Sequence, residues 1–217
     1  MLKYAIIPCM ESMKNELITK EYSSGIKGWM CIGVLLHHLS MFSGLFASTY
    51  FGHFLNLLGS WTVGVFLFLS GYGLFCSYSQ KGDSYIRGFF KHRFLPLYIS
   101  YLVGVLIYLI YDFKTLTPLK LLTSLTWGGT IISFGWFFQF LFLMYLLFWA
   151  VFRFCGNKVA RSIILGVFFT VYLFGAHLLG AHDVPVVCFA CGIIMGVYRD
   201  RLARLFEKHA VILSVIF

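Results

Sequence analysis

The chain has 217 residues, of which 60% are hydrophobic, 20% aromatic and only 12% charged. A soluble domain carries about 25% charged residues, so this composition excludes a soluble fold and identifies an integral membrane protein. The net charge of +9 does not point to nucleic acid, because the basic residues sit between apolar runs, where they orient a membrane protein.

A helix needs about 20 apolar residues to cross a bilayer. No Asp, Glu, Lys or Arg occurs from Gly28 to Gln80. That stretch accommodates two spans, Ile26–Phe46 and Trp61–Tyr78, with a short polar turn around Ser48–Ser60. A third span fits Phe94–Tyr111 and a fourth Gly135–Phe154, inside the uncharged run Leu121–Phe152. Ser162–Leu179 gives a fifth and Val184–Tyr198 a shorter sixth. Beyond a basic stretch, Ala210–Phe217 is apolar and reads as the beginning of a seventh span, so the chain is expected to be a fragment of a longer protein. The fold class is therefore an all-α, multi-span transmembrane bundle. Residues 1–25 form a cytoplasmic segment and 26–217 a single transmembrane domain. The apolar stretch Tyr4–Pro8 is too short for a cleavable signal.

Lys and Arg favour the cytoplasmic side. With the N-terminus inside, every basic residue except Lys114 and Lys120 falls in a cytoplasmic segment. Shifting the span count by one would destroy this alternation. The six cysteines lie mostly within apolar runs and do not form a disulfide scaffold. Cys188 and Cys191 make one C-x-x-C, but no second pair completes a zinc site, so no metal is expected.

Ionisable residues inside spans are costly and therefore candidates for function. The first span, IKGWMCIGVLLHHLS, holds Lys27 at its cytoplasmic edge and His37 and His38 inside. Lys27 and His38 are eleven positions apart, which on a helix amounts to three turns plus about 20° and about 16.5 Å of rise. They share a face. His37 points about 100° away and suits a hydrogen bond between helices. Lys27 also fits a snorkelling anchor. The second span, with Gly64, Ser70, Gly71 and Gly73, has the small residues of close helix packing. Arg87, Lys91 and Arg93 form a basic cluster at the membrane surface, suited either to setting topology or to gripping phosphate.

Four stretches together resemble the acyltransferase 3 family of bacterial membrane O-acyltransferases. KGWMCIGVLLHH matches its Arg/Lys-x10-His signature through Lys27 and His38. GVFLFLSGY, Gly64–Tyr72, resembles G-V-x-x-F-F-x-L-S-G-[FY] in its Gly-Val start and its Leu-Ser-Gly-Tyr end, with two residues fewer between them. KHRFLPLY resembles R-x-x-R-[IL]-x-P-x-Y, with Arg93 three before Pro96. WFFQFLFLMYLLF resembles W-F-L-x-x-L-x-x-x-Y-L through Trp136 and Tyr145. Family members typically have about ten spans, Lys27 stands where many have Arg, and position 66 is Phe where many carry a polar residue. One branch has a Glu after the Trp of this block; here Gln139 follows Trp136.

The resemblance implies transfer of an acyl group, usually acetyl, from a cytoplasmic coenzyme A thioester. The acceptor it implies is a hydroxyl of a cell-envelope glycan or lipid-linked sugar, at a bacterial inner membrane. Acyl-coenzyme A is then a co-substrate, and no bound cofactor is expected. A sugar hydroxyl needs a base, and neutral His is the natural one, so His38 takes that role with Lys27 as its catalytic companion. Arg93, Arg87 and Lys91 would bind the phosphates of the donor, and Ser70 and Trp136 would bind substrate. A polar cleft from the cytoplasmic face to mid-membrane should follow, with His38 turned away from lipid. A polar-solute transporter and a catalytically incomplete fragment are the alternatives. A proton-coupled transporter would carry carboxylates within its spans, and Asp112 and Asp183 lie only at span ends.

Overall fold

A computed structural model describes residues 17–44, 46, 48–111, 117–126, 135–178 and 184–216, with side chains in the last helix described from Val187 to Leu205. Lys3, Lys14, Asp112, Lys114 and Asp183, and with them most of the expected cytoplasmic segment, lie outside the described residues. The described chain is helical: α1 (Lys20–Ser43), α2 (Tyr50–Lys81), α3 (Asp83–Arg87), a π-helical turn (Phe90–Phe94) leading into α4 (Leu95–Tyr111), α5 (Pro118–Thr126), α6 (Trp136–Phe154), α7 (Lys158–Leu178) and α8 (Val184–Ile216). It divides into two compact units, Met1–Ser77 with Phe169–Phe217, and Tyr78–Phe168.

Among the described residues, four helices are long and apolar enough to cross a membrane: Tyr50–Lys81, Phe90–Tyr111, Trp136–Phe154 and Lys158–Leu178. α1 has the length, 24 residues, but carries Lys27, His37 and His38, which lower its apolarity. In α8, Arg199, Asp200 and Arg201 follow closely on the apolar stretch. Two expectations change. Residues Tyr50–Ser60, read as a polar turn, are the first turns of α2. The expected sixth span and the start of a seventh are one continuous helix, α8. Charged residues end a membrane span, but Arg, Leu, Ala, Glu and Lys are good helix formers and do not end a helix.

In the first unit, small residues set the contacts. α1 ends on Gly44, in the left-handed conformation at φ 65° that glycine adopts without strain. Gly33 is the buried residue of α1, and a methyl group there would stand 2.6 Å from Thr62 Cγ2. One turn on, the His37 ring fills the space above Gly59. Rising positions on α1 thus meet falling positions on α2, so the two helices are antiparallel. α2 and α8 cross more closely still. A methyl group on Gly71 would collide with the Phe189 carbonyl oxygen, and one on Gly192 with the Phe68 carbonyl oxygen. Gly64 faces Cys188 and Gly196 faces Phe75, so positions rise together and α2 and α8 are parallel. Close backbone approach of this kind drives helix association where lipid removes the hydrophobic gain.

The second unit is held by aromatic rings. α4 and its π-helical turn run antiparallel to α6, through Phe90–Trp149, Phe94–Phe142 and Tyr101–Phe138 at centroid distances of 4.8, 5.3 and 5.3 Å. Phe89 is fully buried beside Tyr145 and Phe148. The Tyr98 and Tyr101 hydroxyls donate to the Leu125 and Ser124 carbonyls, both at 2.6 Å, and so satisfy carbonyls at the end of α5 that have no partner within their helix. Arg161 at the start of α7 donates to the Tyr78 hydroxyl and the Cys155 carbonyl. Its guanidinium also lies over the Tyr78 and Phe152 rings. The sequence placed Arg161 only on a basic rim; it is also a clamp between helix ends.

The glycine contacts yield a test on neighbouring residues. Gly71→Ala meets backbone and should destabilise by about 1–3 kcal/mol or more. Gly73→Ala has no heavy atom within 4 Å of the new methyl group and should leave the thermal midpoint in detergent unchanged or raised.

Candidate functional site

α1 presents two unlike sides. Ile26, Lys27, Met30, Val34, His37 and His38 are half-buried, whereas Trp29, Ile32, Leu35, Leu39 and Phe42 are exposed. The second set is an apolar outer face of the kind that meets lipid. Lys27 and His38 therefore sit on the inner side of the helix, about 20° apart around it and about 16.5 Å apart along it. Both positions are within the unbroken α1, which preserves this spacing.

The two histidines do different work. His37 Nδ1 donates to the Leu55 carbonyl on α2 at 3.2 Å, and its ring rests on Gly59. It is a link between helices, as its position suggested. This bond fixes the rotation of α1 about its own axis. His38, the next residue, is thereby turned about 100° from the α2 contact. Its ring lies 5.1 Å from that of His37 and 6.1 Å from that of Phe42.

Ser70 lies on α2 in the same unit, half-buried, with its hydroxyl donating to the Phe66 carbonyl at 2.8 Å. That bond occupies the proton and leaves the oxygen lone pairs as acceptors. Arg87, Lys91 and Arg93 belong to the other unit. Arg87 closes α3, while Lys91 and Arg93 lie on the π-helical turn, and all three are exposed. The Arg93 guanidinium is 5.7 Å from the centre of the Tyr85 ring. A π-turn, with its extra residue, is often found at functional positions. No sequence signal had marked it. His92, between the two cations, packs its ring on Gly88. Trp136 opens α6, half-buried, with its ring beside Phe137. The structure thus places Lys27, His38 and Ser70 in one unit and Arg87, Lys91, Arg93 and Trp136 in the other. Among the described residues no group of His, Cys, Asp or Glu could hold a metal ion.

The described residues are helical, and helices apolar enough to cross a membrane, with cations and histidines at and within them, mark a membrane protein. The family model for an acyltransferase domain, acyltransferase 3, matches residues 20–217, which takes in all seven of these residues. The chain belongs to that family and is an acyltransferase. No curated protein and no solved structure matches it.

The division between the histidines has a direct consequence. His37→Ala removes the hydrogen bond to the Leu55 carbonyl, which keeps its bond within α2, at a cost of about 0.5–1.5 kcal/mol. His38→Ala should cost less stability. Thermal unfolding of the two variants in the same detergent, side by side, checks the order.

Proposed function

We propose that the protein is a multi-pass acyltransferase of the bacterial inner membrane. It moves an acetyl group from a cytoplasmic coenzyme A thioester to a hydroxyl of a cell-envelope glycan or lipid-linked sugar. The observation that carries this reading is the placement of His38 and Lys27 on the inner side of α1, with the rotation of that helix fixed by His37. His38 takes the proton of the acceptor hydroxyl as its oxygen attacks the thioester carbonyl. The carbon–sulfur bond then breaks, and coenzyme A departs as the thiol with a proton returned to its sulfur. Neutral imidazole can accept and return that proton near neutral pH.

Lys27 supplies a cation on the same face of α1, which favours an anionic donor along it. Arg87, Lys91 and Arg93 are assigned to the phosphates of coenzyme A by charge and by the bidentate fit of Arg to phosphate. Ser70 and Trp136 are assigned to substrate: the Ser70 oxygen can accept from a hydroxyl, and the Trp136 ring can stack on a sugar. The membrane arrangement is read as six spans with the N-terminus inside. Antiparallel α1 and α2, parallel α2 and α8, and antiparallel α4 and α6 support that alternation.

Transfer or hydrolysis of labelled acetyl-coenzyme A by purified protein in nanodiscs tests the reading. His38→Ala should reduce turnover by about 10²–10⁴-fold while the protein keeps its elution profile and melting point. Equal turnover in wild type and variant would remove His38 from the mechanism.

A further inference from the structure

The first turns of α2 have two unlike sides. Leu55, Gly59 and Thr62 are buried on one, where α1 packs. The other is exposed and carries two adjoining stripes. His53, Asn56 and Ser60 lie within about 60° of one another around the helix, and all three are exposed. Among the described residues, none of these three side chains is engaged in a hydrogen bond. Beside them, over a further arc of about 60°, stand Tyr50, Phe54, Leu57 and Trp61, which are 97%, 53%, 57% and 68% exposed.

The length of α2 says what this face meets. Its 32 residues span about 48 Å, against about 30 Å of hydrocarbon. Lys81 closes the helix and belongs at a membrane surface. The excess of about 18 Å falls at the other end and takes in residues 50–61. The polar stripe therefore stands at a wet surface rather than against lipid tails. An interfacial belt accounts for Tyr50 and Trp61, but it gives no role to three aligned hydrogen-bonding side chains. Residues 28–80 include no Asp, Glu, Lys or Arg, so the face has no charge to offer an ion. It offers hydroxyl, amide and imidazole groups, which donate and accept, and ring faces, whose negative potential suits polarised C–H groups. A neutral pyranose presents the matching combination, with hydroxyls around its rim and C–H groups on its faces.

The face also lies at the depth of His38. His37 bonds to the Leu55 carbonyl and rests on Gly59, so the next residue of α1 is level with Asn56. In an antiparallel pair, residues turned equally far past the contact lie on the same side. His38 and Asn56 are each turned about 110–120° past it, so they share one side of the α1–α2 pair.

We propose that this face of α2 binds the acceptor as a neutral sugar. His53, Asn56 and Ser60 hold its hydroxyls, Tyr50, Phe54 and Trp61 lie against its rings, and the end at Asn56 is on the side of His38. The acceptor class rests on the function proposed above, whereas the surface is read by binding rather than by turnover.

The full chain in nanodiscs of neutral phosphatidylcholine, without acyl donor, is titrated with cellotriose and with chitotriose. Saturation-transfer difference NMR follows the C–H signals of the sugar. The wild type should give a saturable signal with at least one of them, and Asn56→Ala and Trp61→Ala should each weaken the midpoint about tenfold. Both positions are exposed, so both variants should keep the melting temperature of the wild type. Trigalacturonate, an anionic counterpart, should bind at least about tenfold more weakly than the neutral sugar. A wild type that binds neither neutral sugar, variants that bind as tightly as the wild type, or equal binding of trigalacturonate would overturn the proposal. So would variants that change the oligomeric state and not the sugar midpoint, since a second copy would then occupy the face. Sugar binding that depends on Asn56 and Trp61 in a protein that transfers no acetyl would strike the proposed function and leave this surface standing.

Discussion

The close crossing of α2 and α8 is the contact on which the first unit depends. Phe189 lays its carbonyl against Gly71, and Phe68 lays its carbonyl against Gly192. Neither approach tolerates a side chain, so the register of the two helices has no freedom to slip. In lipid there is little hydrophobic gain from bringing helices together, and dispersion between well-fitted surfaces has to supply the attraction. Small residues provide it by letting the backbones approach. The same α2 offers Gly59 and Thr62 to α1, so one helix serves as the template for both neighbours.

The position of His38 follows from that template. Gly33 is the buried residue of α1 and seats the helix against Thr62 of α2. The hydrogen bond from His37 to Leu55 provides the second point of attachment. Two points one turn apart fix both the depth and the rotation of α1, and the residue after His37 inherits its direction. A histidine that serves packing thus sets the direction of the histidine proposed as the base. The second unit solves its packing differently, with interleaved rings in place of glycines, and spends tyrosine hydroxyls on the carbonyls at the end of α5.

Much of this was legible in the sequence where the determinants are local. The third and fourth spans were read as Phe94–Tyr111 and Gly135–Phe154, and the helices run Leu95–Tyr111 and Trp136–Phe154. Charged or polar residues flank those runs and mark both ends. The common face of Lys27 and His38 was also readable, since a helix is periodic and needs no partner to be so. The start of α2 was not: Gly52, Asn56 and Gly59 resemble a turn by composition, yet Gly52 and Gly59 are buried in a helix. Nor was the continuity of α8, because charges that end a membrane span do not by themselves end a helix. The partners of Gly71 and His37 are distant in sequence, and no local pattern names them. The π-turn under Lys91 and Arg93 depends on how the ends of α3 and α4 are joined, which composition does not encode.

The central claim is that His38 sits in an aqueous site occupied by the acyl donor while its neighbour His37 is committed to packing. Modification of the protein in nanodiscs by diethyl pyrocarbonate, mapped residue by residue by mass spectrometry with and without acetyl-coenzyme A, tests it most directly. The account predicts that His38 is modified from the water phase and protected by the donor, and that His37 reacts little in either condition. A His38 that never reacts, or that reacts equally with the donor present, would contradict it.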